Sequence, residues 1–210
     1  MLQSFLVANP KGGCGKTTLA TNLAGYFARR GHRVMLGDID RQQSAREWLK
    51  LRPPRPRVAR ARGTPGEPAR PPKDTTHVVL DTPAGLHGKK LDVVVKSIHR
   101  VIVPLQPSIF DILATRAFLD ELLEEKAVRN QKTFIAVVGM RVDARTRAAH
   151  ELERFLEGLD VPVLGFLRDT QVYVQAAAHG LTLFDLSPAR AALDLPQWQG
   201  IIDWVDAPHE

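Results

Sequence analysis

Apolar residues along the chain fall into two rhythms. Residues 2–8, 34–36, 77–80, 101–105, 134–139 and 161–166 are short, nearly continuous apolar runs, as expected of strands buried on both faces. Between them, apolar positions recur every three or four residues. Over 16–30, Leu19, Leu23 and Phe27 share one helical face, and Gly31 supplies a stop. Over 145–159, Leu152, Phe155, Leu156 and Leu159 do the same. Residues 43–51 (ended by Pro53 and Pro54), 89–99 and 109–128 also read as helices. So do 171–178 and 189–205, the last interrupted by Pro196. Strands alternating with amphipathic helices predict an α/β fold: a doubly wound, mostly parallel sheet with helices on both faces.

One segment breaks the rhythm. Residues 52–73 hold seven of the 15 prolines and one large aliphatic side chain, Val58. That is too little apolar surface to offset the entropy of ordering. Residues 58–62 read as a short edge strand and the rest as an extended loop. Strands resume beyond it, so residues 1–210 are expected to form one domain. Charge sharpens the picture. The 210 residues carry 29 Lys and Arg against 23 Asp and Glu, a net +6, yet 52–73 alone holds seven basic residues and one acid. The remainder has 22 of each sign, so the excess belongs to the segment and not to the surface at large. A single cysteine, Cys14, excludes an internal disulfide and a tetrahedral zinc site. No apolar run is long enough to span a bilayer, and the first residues lack the basic region of a signal peptide. A cytoplasmic protein is expected.

Three segments carry chemistry. Asn9-Pro10-Lys11-Gly12-Gly13-Cys14-Gly15-Lys16-Thr17-Thr18 follows the first strand and opens the first helix, the context of a phosphate-binding loop. Its glycines let backbone N–H groups curl toward phosphate oxygens, and the new helix adds the positive end of its dipole. Lys16 would bridge the outer phosphates and Thr17 would ligate Mg²⁺. Asp38 and Asp40 close the second strand, two carboxylates at i and i+2 on one side of the chain; in isolation they would equally cap the helix that follows. Asp81 ends the apolar run Val78-Val79-Leu80 at the carboxyl edge of the sheet, where it would hold Mg²⁺.

The phosphate loop departs from the usual G-x-x-x-x-G-K-[ST] spacing, because Pro10 stands at its first glycine and Lys11 is additional. In this it resembles the deviant Walker A motif of the ParA/MinD ATPases, which have the P-loop NTPase fold. Gly37-Asp38-Ile39-Asp40 and Asp81-Thr82-Pro83-Ala84-Gly85 are similar to the family's two switch regions, with Arg41 where the family usually has proline. Phe166-Leu167-Arg168-Asp169 looks like the late segment of the short, ParF-type members, and no operator-binding extension precedes the loop. The resemblance covers roughly residues 2–185. It implies that Lys11 reaches the nucleotide of a partner subunit, that Asp40 orients the attacking water, and that Asp38 supports the magnesium shell. Gly12, Gly13, Cys14, Gly15 and Thr18 would cradle the phosphates, and the base would lie near Met140 and Arg141.

The same resemblance implies Mg²⁺-dependent ATP hydrolysis, ATP-dependent homodimers, non-specific DNA binding at the nucleoid, and a ParB-like or cargo-adaptor protein that stimulates hydrolysis. DNA contacts would come from Arg145, Arg147, Arg154 and Arg168, or from Arg55, Arg57, Arg60 and Arg62 in the Pro-rich segment. The alternative is a MinD-like membrane-cycling ATPase. The acidic, Pro-broken stretch 201–210 argues against that, and no stable membrane association is expected.

Overall fold

The computed structural model describes residues 2–40, 42–60 and 71–208. Seven strands lie in one parallel sheet: β1 (Gln3–Val7), β2 (Val34–Asp38), β3 (Val58–Arg60), β4 (His77–Asp81), β5 (Arg100–Leu105), β6 (Phe134–Val142) and β7 (Val163–Arg168). Their order is β3-β2-β4-β1-β5-β6-β7, with β1 in the middle. The two-residue period of β1 divides the core. Phe5 and Val7 face one side, with α1 (Lys16–Arg29), α2 (Ser44–Leu51), α7 (Gln171–Ala177), α8 (Pro188–Ala191) and α9 (Gln199–Asp206). Leu6 and Ala8 face the other, with α3 (Lys89–Val95), α4 (Ile109–Glu124) and α6 (Arg147–Glu157). Phe5, Leu6, Val7 and Ala8 are all fully buried, which is why this stretch reads as an unbroken apolar run.

Several boundaries differ from those the pattern predicts. The helix expected over 109–128 breaks at Glu125, whose extended backbone separates α4 from α5 (Lys126–Arg129). The buried stripe of α4 ends at Leu122 and α5 buries no side chain, so packing does not hold one straight helix. β6 runs past Gly139 to Val142, because Met140 and Val142 are buried; a bulge between them turns out Arg141, at φ +54°. In the 189–205 region, Pro196 falls in a 3₁₀ turn, Leu195–Trp198, that separates α8 from α9. The expected edge strand appears as β3, while residues 61–70 of the Pro-rich segment, Arg62 among them, lie outside the described residues. Gly31 takes φ +84° just past α1, and His32 donates its N–H back to Phe27, closing that helix.

Parallel register assembles the three chemical segments at one edge. Val7 and Asp38 both pair with Asp81, so the exits of β1, β2 and β4 lie side by side. The chain builds β2, β3 and β4 on one side of β1 and then crosses to β5 on the other, and this reversal opens a crevice at the carboxyl ends of the strands.

Candidate functional site

The phosphate loop is held from three directions. Gly85 donates its N–H to Pro10 O at 3.1 Å, Gln106 Nε2 donates to Gly13 O at 2.9 Å, and Asn9 Oδ1 accepts the Lys11 N–H at 2.8 Å. Gly13 and Gly15 adopt φ +78° and +92°, a region that L side chains rarely enter. At Gly15 a Cβ would also lie 2.7 Å from Met140 Cε, so the tip of that methionine would have to shift. Lys16 is buried and donates from Nζ to Lys11 O at 2.6 Å, with Cys14 Sγ 3.8 Å away. Burial raises the pKa of the Cys14 thiol even though Lys16 opposes it, so the thiol is neutral and fills space. Lys11 is half-buried at the loop mouth.

Thr17 donates its hydroxyl to Asp81 Oδ2 at 2.6 Å. Asp81 is 1% exposed and its Oδ1 has no hydrogen-bond partner. Burial pushes its carboxyl up to about 7; the Thr17 bond pulls it down, and the charges of Asp38 and Asp40 push it up. A buried carboxylate with an orphaned oxygen, beside a hydroxyl, fits a divalent cation, which would supply the missing partner and favour the charged form. Among the described residues, no three His, Cys, Asp or Glu side chains converge to form a protein cage for a metal. Mg²⁺ typically uses one or two carboxylates plus substrate phosphates and water, and Asp81 beside Thr17 would suit it.

The two remaining carboxylates differ. Asp38 accepts the Asp40 N–H at 3.0 Å and the Arg46 N–H at 3.1 Å, so it caps the start of α2 as well as neighbouring Asp81. Burial raises its pKa against those hydrogen bonds. Asp40 Oδ1 accepts the Gln42 N–H at 3.0 Å, and the residue is half-exposed at the crevice. Arg41, which replaces the expected proline, lies outside the described residues.

Met140 and Arg141, expected near the base, lie at the end of β6. Met140 is 4% exposed behind Gly15, while Arg141 is exposed at the bulge. The open space reached from Thr17 and Thr18 is a cleft of about 220 Å³ between α1, α2 and α7, walled by Trp48 and Tyr173. The candidate DNA-contacting arginines fall into two groups. Arg145 forms a two-pronged pair with Asp143 (2.9 and 2.8 Å), Arg147 reaches Glu151 at 3.1 Å, and Arg168 grips the buried Asp194 at 2.7 and 3.1 Å. Arg154, Arg55, Arg57 and Arg60 are exposed. Sequence reasoning missed Thr115, a fully buried threonine on the apolar stripe of α4 that accepts from Asn9 Nδ2 at 2.9 Å. The available signal was a polar residue at a buried helical position.

The sequence profile of the CobQ/CobB/MinD/ParA nucleotide binding domain matches residues 5–183, spanning the phosphate loop, Asp38, Asp40 and Asp81. The chain belongs to that family. It is a P-loop ATPase of the ParA/MinD type. It is 30% identical over 201 residues to the maintenance of carboxysome distribution protein A of Halothiobacillus neapolitanus, covering 91% of each chain. It is 29% identical to the chromosome-partitioning ATPase Soj of Thermus thermophilus, covering 72% of this chain and 74% of Soj. Its fold is that of the septum site-determining protein MinD of Pyrococcus horikoshii complexed with Mg-ADP. The TM-score is 0.70 at 18% identity, covering 98% of this chain and 96% of MinD.

Proposed function

We propose that this ParA/MinD-type ATPase positions a plasmid, chromosome region or protein cargo by dimerising on ATP, binding DNA without sequence preference, and releasing it when a partner protein stimulates hydrolysis. The observation that carries the reading is the phosphate loop itself. Lys11 and Lys16 flank a glycine turn whose Thr17 is bonded to the orphaned carboxylate Asp81. Lys16 would exchange its bond to Lys11 O for phosphate oxygens, and Lys11 would add a second cation from across the dimer. Thr17 and Asp81 would hold Mg²⁺, with Asp38 supporting from the next strand. Bound there, Mg²⁺ supplies charge neutralisation on the outer phosphates. Asp40, with one carboxylate oxygen already fixed by Gln42 N–H, orients the attacking water. The cleft beyond Thr18 takes the nucleoside.

DNA binding over membrane cycling is favoured by α9, whose Ile201 and Val205 are spent in the core and unavailable to a bilayer. Exposed arginines on α6 and beside β3 are available to phosphates. Relatives named for carboxysome distribution and chromosome partitioning support the positioning role. The test is duplex-DNA retention with ATP, with ADP and without nucleotide, alongside Lys16→Ala. Retention only with ATP, lost in Lys16→Ala, is expected. Equal retention in all states overturns the nucleotide-gated reading, and ATP-dependent binding to anionic vesicles instead of DNA would favour the membrane alternative.

A further inference from the structure

We propose that Asn9 is a positioning residue that sets the peptide from which Lys11 departs and ties the phosphate loop to α4. The inference rests on Lys11 acting on the nucleotide. Its starting point is the departure at Pro10. The last main-chain rung between the two central strands is Ala8 N–H to Ile102 O, at 3.2 Å. In a parallel ladder the next donor would be the N–H of residue 10, aimed at Pro104 O. Residue 10 is proline and has no N–H. Asn9 Nδ2 supplies the missing donor, 2.8 Å from Pro104 O. The side chain thus extends the sheet by one rung while the main chain turns away into the loop.

The second Nδ2 hydrogen goes to Thr115 Oγ1 on α4, at 2.9 Å. Oδ1 accepts the Lys11 N–H at 2.8 Å. Asn9 is 1% exposed and Thr115 fully buried, so water offers no substitute for these bonds. Polarity makes the residue type specific. Pro104 O can only accept and Lys11 N–H can only donate, so the position needs a donor and an acceptor on one short planar group. Aspartate has the shape without the donor, and its charge would face a carbonyl. With Gly85 N–H on Pro10 O, both polar groups of the Pro10–Lys11 peptide are fixed. Lys11 then has a defined origin for its reach, and its own carbonyl meets Lys16 Nζ.

The test uses the full chain and compares Asn9→Asp, Thr115→Val, Lys11→Ala and the Asn9→Asp/Lys11→Ala double variant. Readouts are Mg-ATP turnover, affinity for a fluorescent ATP analogue, and thermal melting. Asn9→Asp is expected to lower kcat by about tenfold or more, as Lys11→Ala does, with nucleotide affinity held within about threefold because Lys16 is untouched. The double variant is expected to be no slower than Lys11→Ala alone, since a residue acting through Lys11 has nothing left to position. Thr115→Val, which keeps shape and removes the acceptor, is expected to lower kcat by about threefold. Wild-type turnover in Asn9→Asp while Lys11→Ala is slow would overturn the proposal and leave the role of Lys11 standing. So would effects that add in the double variant, or that follow melting temperature and affinity instead of kcat. Should Asn9→Asp not fold, Thr115→Val carries the test: its kcat unchanged beside a slow Lys11→Ala would overturn the link. Wild-type turnover in Lys11→Ala would instead sink the reading of Lys11, and the proposal with it.

Discussion

The ion pair between Arg52 and Asp185 offers a quantitative check on how α2 is held. Both side chains are nearly dry, at 3% and 7% exposed. Asp185 Oδ2 accepts from Arg52 Nη1 at 2.9 Å, from Thr182 N–H at 2.9 Å and from Thr182 Oγ1 at 2.7 Å. Its Oδ1 accepts from Arg52 Nη2 at 3.4 Å. Arg52 also donates to Gly180 O at 3.1 Å and lies 5.0 Å from the Trp48 ring. Burial alone would raise the Asp185 carboxyl, but the bonds from Arg52 and Thr182 outweigh it and hold the pKa below its ordinary value. Asp185→Asn keeps the shape, weakens three charge-assisted bonds, and sets an amide NH₂ against Arg52 Nη2. A charge-assisted bond is worth roughly 1.5–3 kcal/mol against about 1 for a neutral one, and stranding a buried charge costs about 3–5. With three bonds kept in neutral form, a loss of about 3 kcal/mol is expected. At about 2 kcal/mol/M in urea, that lowers the unfolding midpoint by roughly 1.5 M. Arg52→Met should cost a similar amount, and the double variant clearly less than the sum, because it strands neither charge. Single variants within about 0.5 kcal/mol of wild type, or strictly additive costs, would refute the account.

Three further outcomes are expected. Asp40→Ala should still bind ATP and dimerise yet turn over at least about tenfold more slowly, measured by phosphate release beside light scattering; unchanged turnover removes Asp40 from catalysis. His77, packed 4.0 Å from His32 and 4.5 Å from Phe27 between ring centroids, is held down to about 4 by burial first and then by His32. The unfolded chain takes a proton near 6.5 and the folded chain does not. Stability present above pH 6.5 should therefore fall by up to about 3 kcal/mol as pH drops toward 4, and His77→Phe should flatten that part of the urea-midpoint profile. If the Pro-rich segment contacts DNA, neutralising Arg55, Arg57, Arg60 and Arg62 together should reduce the slope of log K against log salt by up to about 0.9 per lost contact; an identical slope would leave the segment outside the interface.

The alternation of strands and helices was legible because strands buried on both faces need no polar positions. The phosphate loop was legible because its glycines, lysines and threonine are consecutive. What pattern alone misses is contact across distance. Arg52 looks like one more charge in a solvated basic segment, yet it is buried against Asp185, while Arg55, Arg57 and Arg60 are exposed. Asp38 and Asp40 look equivalent at i and i+2, but α2 begins on Asp38 and leaves Asp40 at the crevice. The pattern ends a strand at Gly139 and leaves Met140 and Arg141 beyond it; burial of Met140 and Val142 extends β6, and Met140 packs behind Gly15. Thr115 carries no motif, and its role follows only from the packing of α4 over β1 and β5.

The central place of β1 also sets an order of events during synthesis. The first strand made is the one whose partners come late. Thr17 meets Asp81 across 64 residues, and Asn9 meets Thr115 across 106. At about 5–20 residues per second, the ribosome leaves the phosphate loop without its backing for roughly 5–20 seconds. During that interval the nascent chain presents an apolar strand and a glycine-rich loop, followed by the positively charged Pro-rich stretch. A nucleotide can therefore favour the fold only after more than half of the polypeptide has emerged.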